Sequence, residues 1–80
     1  MPTVFRHQGY RFFFYSDEGI LREPTHIHVR SGSCEAKFWL RPVVQVAYNR
    51  GYSARALLEI EKIIEWNRAQ IERYWNDFFA

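Results

Sequence analysis

The last third of the chain contains neither glycine nor proline from Ala54 to Phe79. Apolar residues recur along it at helical spacing and polar residues lie opposite, which predicts an amphipathic helix. Ser53 is a typical N-cap, because its hydroxyl can accept a hydrogen bond from the first turn. A straight helix of about 26 residues would be about 39 Å long, whereas a compact domain of this size is about 30 Å across. The helix must therefore bend or project.

Asn67 is the one polar residue on the apolar stripe of this helix and is the predicted place for a bend. If the helix instead stays straight, its aromatic end projects from the domain. Exposed aromatic clusters mark interfaces, so a partner interface is predicted at Trp75, Phe78 and Phe79. The alternative is that these aromatics fold back on the sheet of their own chain.

The first half of the chain is rich in β-branched and aromatic residues and is divided by turn signals. Five strands are predicted, of which the fifth could also be a helical turn. The segments are a hairpin over 3–15 turning at Gln8-Gly9, a loop over 17–25, strands over 26–30 and 34–40, and a short strand over 43–48. At this length the chain is one domain, residues 1–80. The fold class is α+β: an antiparallel sheet of four to five strands (two hairpins) packed against one long C-terminal helix.

The second hairpin has a register that follows by counting. Gly32-Ser33 suits a two-residue type II′ turn, which pairs residues from Ser31 with Cys34 to His26 with Trp39. One face then carries Ile27, Val29, Ala36 and Phe38 and is the predicted core face. The other face carries His26, His28, Arg30, Glu35, Lys37 and Trp39.

Two histidines on one strand face leave three interpretations open. In the first, His26 and His28 are the acid and base that cleave a phosphodiester, with Arg30 and Lys37 stabilising the developing charge. In the second, the pair binds zinc with a third ligand from Asp17, Glu18 or Glu23. In the third, the strand is half-exposed, and its two histidines only face solvent or contact a protein. In each case the rings are expected to face outward and to contribute little to folding. No metal or other cofactor is assigned to the protein, and zinc belongs to the second interpretation alone.

The first hairpin extends the same surface. A turn at Gln8-Gly9 pairs Phe5 with Phe12 and Thr3 with Phe14, and it places Val4, Arg6, Arg11 and Phe13 on the opposite face. The residues predicted to bind a ligand are Arg11, Phe13, Tyr15, Glu35 and Trp39. The net charge of +2 is too small to prove nucleic-acid binding, but nine of the eleven basic residues are arginine, which suits phosphate contacts.

Composition excludes several classes of protein. A chain that is 48% hydrophobic with four glycines is not a disordered tail or linker. No apolar run approaches the ~20 residues that span a bilayer, and no signal peptide is visible. Cys34 is the single cysteine, so an internal disulfide is impossible. A cytoplasmic location is the expectation.

The chain resembles the bacterial domain-of-unknown-function 4160 family along essentially its whole length. The most specific part is His26-Ile27-His28-Val29 followed by Glu35-Ala36-Lys37. The sequence departs from the family pattern at Ile20-Leu21 and at Thr25, where a second proline is usual. The remaining segments that fit are 1–6, 9–16, 22–24, 38–40, 49–53 and 71–79.

The resemblance implies a genomic context rather than an activity. Such genes often neighbour a gene of the domain-of-unknown-function 2442 family, in an arrangement like a toxin–antitoxin pair. The expected function is therefore a toxin-like component of a two-gene module, acting on RNA as a small endoribonuclease, with a small protein partner encoded nearby. The alternatives are a non-enzymatic protein-binding module, antitoxin-like or regulatory, and a small metal-binding protein. A homodimer is a further expectation.

Overall fold

In a computed structural model, which describes residues 3–16 and 23–79, five strands form one antiparallel sheet in chain order, β1-β2-β3-β4-β5. Two helices follow the sheet. The strands are β1 Thr3–His7, β2 Tyr10–Phe13, β3 His26–Ser31, β4 Cys34–Trp39 and β5 Gln45–Arg50. The predicted α+β class with a five-stranded antiparallel sheet is confirmed.

Both hairpin turns lie where glycine predicted them. Gln8 and Gly9 have φ angles of 51° and 84°, the pair of positive angles that a type I′ turn requires. Gly32 has a φ of 56°, as expected for the first central position of a type II′ turn. β3 and β4 then pair in the predicted register, from Ser31 with Cys34 to His26 with Trp39.

The core lies between one face of the sheet and the two helices. It contains the four residues that the register assigned to it, Ile27, Val29, Ala36 and Phe38, all at most 1% exposed. The helices add Ile60, Ile63, Ile64, Ile71 and Trp75. The opposite face of the sheet, called the polar face below, contains the predicted functional residues.

The first hairpin departs from the simple count near its open end. Phe5 pairs with Phe12 as predicted, but Thr3 faces Phe13 rather than Phe14, because the register shifts between Thr3 and Phe5. This irregularity lets Val4, predicted on the polar face, join the core cluster. An extra residue in one strand moves the side chains beyond it to the other face.

The fifth strand begins and ends two residues later than predicted. Asn49 and Arg50, which lie beyond the predicted strand, continue β5 and pair with β4. The turn follows them, because Asn49 binds the backbone of Tyr52 in both directions: its Oδ1 accepts from the Tyr52 amide at 3.0 Å and its Nδ2 donates to the Tyr52 carbonyl at 2.9 Å. Gly51 makes the bend with a φ of 101°.

The prediction of one long helix is matched only in part. Helix α1, Ala54–Trp66, begins at the predicted cap, where Ser53 Oγ accepts from the Ala56 amide at 3.1 Å. It ends at Asn67, whose side-chain Nδ2 donates to the Ile63 carbonyl at 2.8 Å, and α2, Arg68–Phe79, follows. The helix is therefore interrupted at Asn67, the residue where the sequence predicts a bend. None of the helices in the described ranges is long and apolar enough to cross a membrane.

The break allows α2 to pack on its own chain. Arg41 pairs with Glu72, and the Arg68 guanidinium donates to the Pro42 carbonyl at 3.1 Å. Trp75, at 8% exposure, then packs edge-on against Phe14. The aromatic end thus folds back, which was the alternative to a projecting end.

The predicted partner interface is reduced by this packing. Trp75 is buried within the chain, Phe79 is partly buried on the core, and Phe78 is 47% exposed. Binding of a partner to this end stays a prediction. The contact would be made by Phe78 and by the accessible part of Phe79.

Candidate functional site

The polar face is built from rows of side chains that lie directly opposite one another on neighbouring strands. One row crosses all five strands as Thr3, Phe13, His28, Lys37 and Tyr48. Partners that face each other in an antiparallel sheet point to the same side. The register therefore gathers the predicted residues of both hairpins, together with β5, on a single surface.

The two histidines are buried, contrary to the expectation that they face outward. His26 is fully buried and His28 is 2% exposed. The His28 ring stacks on Phe13 at 5.5 Å between centroids and meets Tyr15 edge-on at 4.5 Å. Strand alternation identified the correct side of the sheet, but these aromatic neighbours close over the ring.

His26 lies at the junction of the polar face and α2. Its Nδ1 donates to the Pro24 carbonyl at 2.9 Å. Its ring meets Trp39 edge-on at 5.5 Å and Trp75 at 4.8 Å, and it lies 5.3 Å from the ring of His28. The two imidazoles are adjacent, as predicted, and both pack among aromatic rings.

Glu35 is the centre of the hydrogen bonding on this face. Arg30 donates to its Oε1 at 2.7 Å, and the Tyr48 hydroxyl donates to its Oε2 at 2.7 Å. The Tyr15 hydroxyl lies 3.2 and 3.3 Å from the two oxygens. His28 Nδ1 lies 3.3 Å from the Tyr48 hydroxyl and 3.8 Å from Glu35 Oε2. One carboxylate thus ties strands β3 and β5 and the segment after β2 to β4.

The titration of Glu35 reflects these partners. Burial by itself would raise the pKa of the carboxyl, but the hydrogen bonds from Tyr48, Arg30 and Tyr15 outweigh it and leave the pKa below the usual value of 4.5. The pKa of Tyr48 is raised, first by burial and then by its bond to the Glu35 carboxylate. Glu35 is therefore an anion at neutral pH and Tyr48 a neutral donor.

A second row on the polar face is rich in arginine. Arg6 faces Arg11, Arg11 faces Arg30, Arg30 faces Glu35, and Glu35 faces Arg50. We call the four arginines of this row, Arg6, Arg11, Arg30 and Arg50, the arginine row. It crosses four strand spacings, about 19 Å at ~4.8 Å each. Arg6, Arg30 and Arg50 are exposed and Arg11 is half-buried.

Three guanidinium groups of the arginine row contact other side chains of the polar face, which restrict their positions. Arg11 lies 4.6 Å above the ring of Phe13 and donates to Thr3 Oγ1 at 2.9 Å. Arg50 lies 5.5 Å above the ring of Tyr48. Arg30 is fixed by Glu35. Such contacts restrict the side chains and leave outward donors for an anion.

The remaining predicted residues take supporting positions. Lys37 lies 4.3 Å above the Trp39 ring and pairs with Glu23 at 3.2 Å. It is therefore directed away from the arginine row, although it shares the face. Of the proposed zinc ligands, Asp17 and Glu18 lie outside the described residues. Within 3–16 and 23–79, no group of three or more His, Cys, Asp or Glu side chains is placed to hold a metal ion.

Sequence analysis missed Tyr48 and Arg50. Both lie on β5, and their partners on β4 are Lys37 and Glu35. The connection over 40–44 is not a tight turn, and the register shifts between Lys37 and Phe38, so no count from β4 could reach β5. A signal was present in the alternation of Tyr48 and Arg50 on one face of a strand.

Comparison with known proteins gives one match. No curated protein and no solved structure matches the chain significantly. The family described as Domain of unknown function (DUF4160) matches residues 9–76. This range includes β2 to β5 and all but the last turn of α2, hence the polar face except β1. The resemblance noted in the sequence is thereby confirmed, and the chain belongs to the DUF4160 family.

Proposed function

We propose that this protein binds nucleic acid, most directly RNA, through the arginine row on its polar face. The observation that carries the proposal is the register, which aligns four arginines across five strands. Arginine is suited to phosphate because its planar fork donates two parallel hydrogen bonds. Phosphate contacts supply most of the affinity in nucleic-acid binding.

The distribution of charge supports the same surface. The arginine row has four arginines with one glutamate between them, whereas residues 54–79 of the helices carry four basic and five acidic residues. A basic sheet face opposite near-neutral helices gives a polyanion one preferred side on which to bind.

A binding assay with matched variants tests the proposal. The ligand is a fluorescein-labelled RNA hairpin with a single-stranded tail, and the readout is anisotropy. The double variant Arg11→Ala/Arg50→Ala should weaken binding by about tenfold or more, since each lost phosphate contact weakens binding for every sequence alike. The control Arg55→Ala/Arg73→Ala removes the same charge from exposed helix positions and should bind like the wild type. An equal loss of affinity in both variants would show only an effect of net charge, and it would refute the arginine row as the binding surface.

Cleavage of the RNA is the second candidate, and the Tyr48–His28–Glu35 arrangement favours it. His28 Nδ1 lies 3.3 Å from the Tyr48 hydroxyl and 3.8 Å from Glu35 Oε2, so the ring is held beside a carboxylate, as a catalytic imidazole is. The burial of His28 means that a phosphodiester reaches it only if the covering aromatic side chains move. Gel analysis of the same labelled RNA detects cleavage, and cleavage abolished in a folded His28→Asn variant would favour the nuclease.

The two-gene module and its protein partner form a further proposal, carried by family membership and by the exposure of Phe78. Co-expression with the product of the neighbouring gene, followed by co-purification, tests it. Phe78→Ser should weaken the complex, whereas Trp66→Ser, at a more exposed tryptophan on the other helix, is the control.

A further inference from the structure

The arginine row has a direction and a length that restrict its ligand. Its members lie along a line perpendicular to the strands. Arg6, Arg11 and Arg30 occupy three successive strands, and Arg50 follows after the position of Glu35. A ligand that contacts all four must place phosphates along about 19 Å of a twisted sheet.

Glu35 lies within this line, but its carboxylate is too buried to face a ligand. Its side chain is about 10% exposed, and both oxygens already accept short hydrogen bonds from Arg30 and Tyr48. The carboxylate occupies only part of the Arg30 guanidinium, because that group has five N–H donors. The Arg30 side chain is 47% exposed, so its outward N–H donors are accessible to a phosphate.

A flexible strand fits this geometry better than a duplex. The backbone of a duplex follows a fixed helical path, so it touches a row across a sheet at few points. A single strand can follow the row, and its unpaired bases can stack on guanidinium planes. Arg11 and Arg50 present such planes, since each lies over an aromatic ring.

We infer that the arginine row binds the backbone of single-stranded nucleic acid, with about one phosphate per arginine, running across the strands. This inference rests on the proposed function and adds the form and length of the ligand. Binding through about four phosphates gives a slope of log K against log salt of about −3, because each phosphate contributes about −0.7 in single strands.

The test measures anisotropy for labelled oligo-uridylate and oligo-deoxythymidylate of about three to ten nucleotides, which brackets the short site sizes of single-strand binders. A duplex of about twelve base pairs is the comparison ligand. Affinity should stop rising after about five nucleotides, and either single strand should bind about tenfold more tightly than the duplex. The RNA and DNA arms show whether the 2′-hydroxyl adds to the shared phosphate chemistry.

Two variants connect the result to the residues. Arg50→Ala should reduce the magnitude of the salt slope by about 0.7, while Arg73→Ala, on the exposed side of α2, should leave it unchanged. Equal affinity for the duplex, or affinity that keeps rising to ten nucleotides, would overturn the inference and leave the proposed function standing. Absence of binding to every oligonucleotide and to the hairpin would overturn both.

Discussion

Replacing Glu35 by glutamine should destabilise the protein by about 2 kcal/mol at pH 7. The amide keeps the size of the side chain but removes the negative charge of the carboxylate that accepts hydrogen bonds from Tyr48 and Arg30. Hydrogen bonds to charged groups contribute about 1.5–3 kcal/mol against 0.5–1.5 for neutral ones, so the bond from Tyr48 at 2.7 Å loses about 1–1.5. Arg30 is 47% exposed, and its screened pair adds about 0.5–1.

The assay is thermal and urea unfolding followed by circular dichroism. For a domain of this size about 2 kcal/mol lowers the melting temperature by about 10 °C. Glu65→Gln, at an exposed position on α1, is the matched control and should change stability by at most about 0.5 kcal/mol.

The pH dependence of the same variant gives an independent check. Because the folded pKa of Glu35 lies below 4.5, its contribution is present above the unfolded pKa and is lost as pH falls through the folded value. The stability difference between the wild type and Glu35→Gln should therefore shrink as the pH falls below 4.5 and through the folded pKa of Glu35. A Glu35→Gln variant as stable as the wild type at pH 7 would refute this account of the hydrogen bonds. A stability difference that stays the same at every pH would refute it too.

Three further predictions concern packing and backbone. His28→Ala should cost about 2 kcal/mol or more in unfolding free energy, because it empties a site enclosed by aromatic rings; an unchanged melt would show that the ring is dispensable for folding. Trp75→Ala should cost about 3–5 kcal/mol, whereas Trp66→Ala, at 77% exposure, should stay within about 0.5 in the same urea titration. Gly51→Ala should destabilise by more than about 1 kcal/mol, because a φ of 101° suits glycine and the new Cβ would lie 2.9 Å from Cys34 Sγ; wild-type stability would contradict this.

The sequence predicts most where a tight turn fixes the register. Gly32-Ser33 determines the parity of β3 and β4, and every pair from Ser31 to His26 follows. It predicts least beyond irregularities. The shift between Thr3 and Phe5 and the shift opposite Lys37 interrupt the two-residue alternation on which counting relies. Tyr48 and Arg50 were missed for this reason.

Burial of the polar face could not be predicted from the same pattern. Alternation along His26–Arg30 indicates which side chains share a side, but not how much lies above them. Tyr15 and Tyr48 belong to segments distant in sequence, and both reach Glu35 beside His28. An alternating strand with two histidines therefore looks half-exposed in sequence, whereas the rings of Tyr15 and Tyr48 cover His28 in the structure.

The arginine row is the part of the structure that folding alone explains least. Like charges directly opposite in an antiparallel pair are destabilising, yet Arg6 faces Arg11 and Arg11 faces Arg30. The sheet offsets this repulsion locally, with Glu35 beside Arg30 and the Phe13 ring beneath Arg11. A local rule broken twice in one row, with compensation around it, is expected at a functional position. Phosphates across the row would remove the repulsion, so the same arginines that cost stability in the free protein would stabilise the complex.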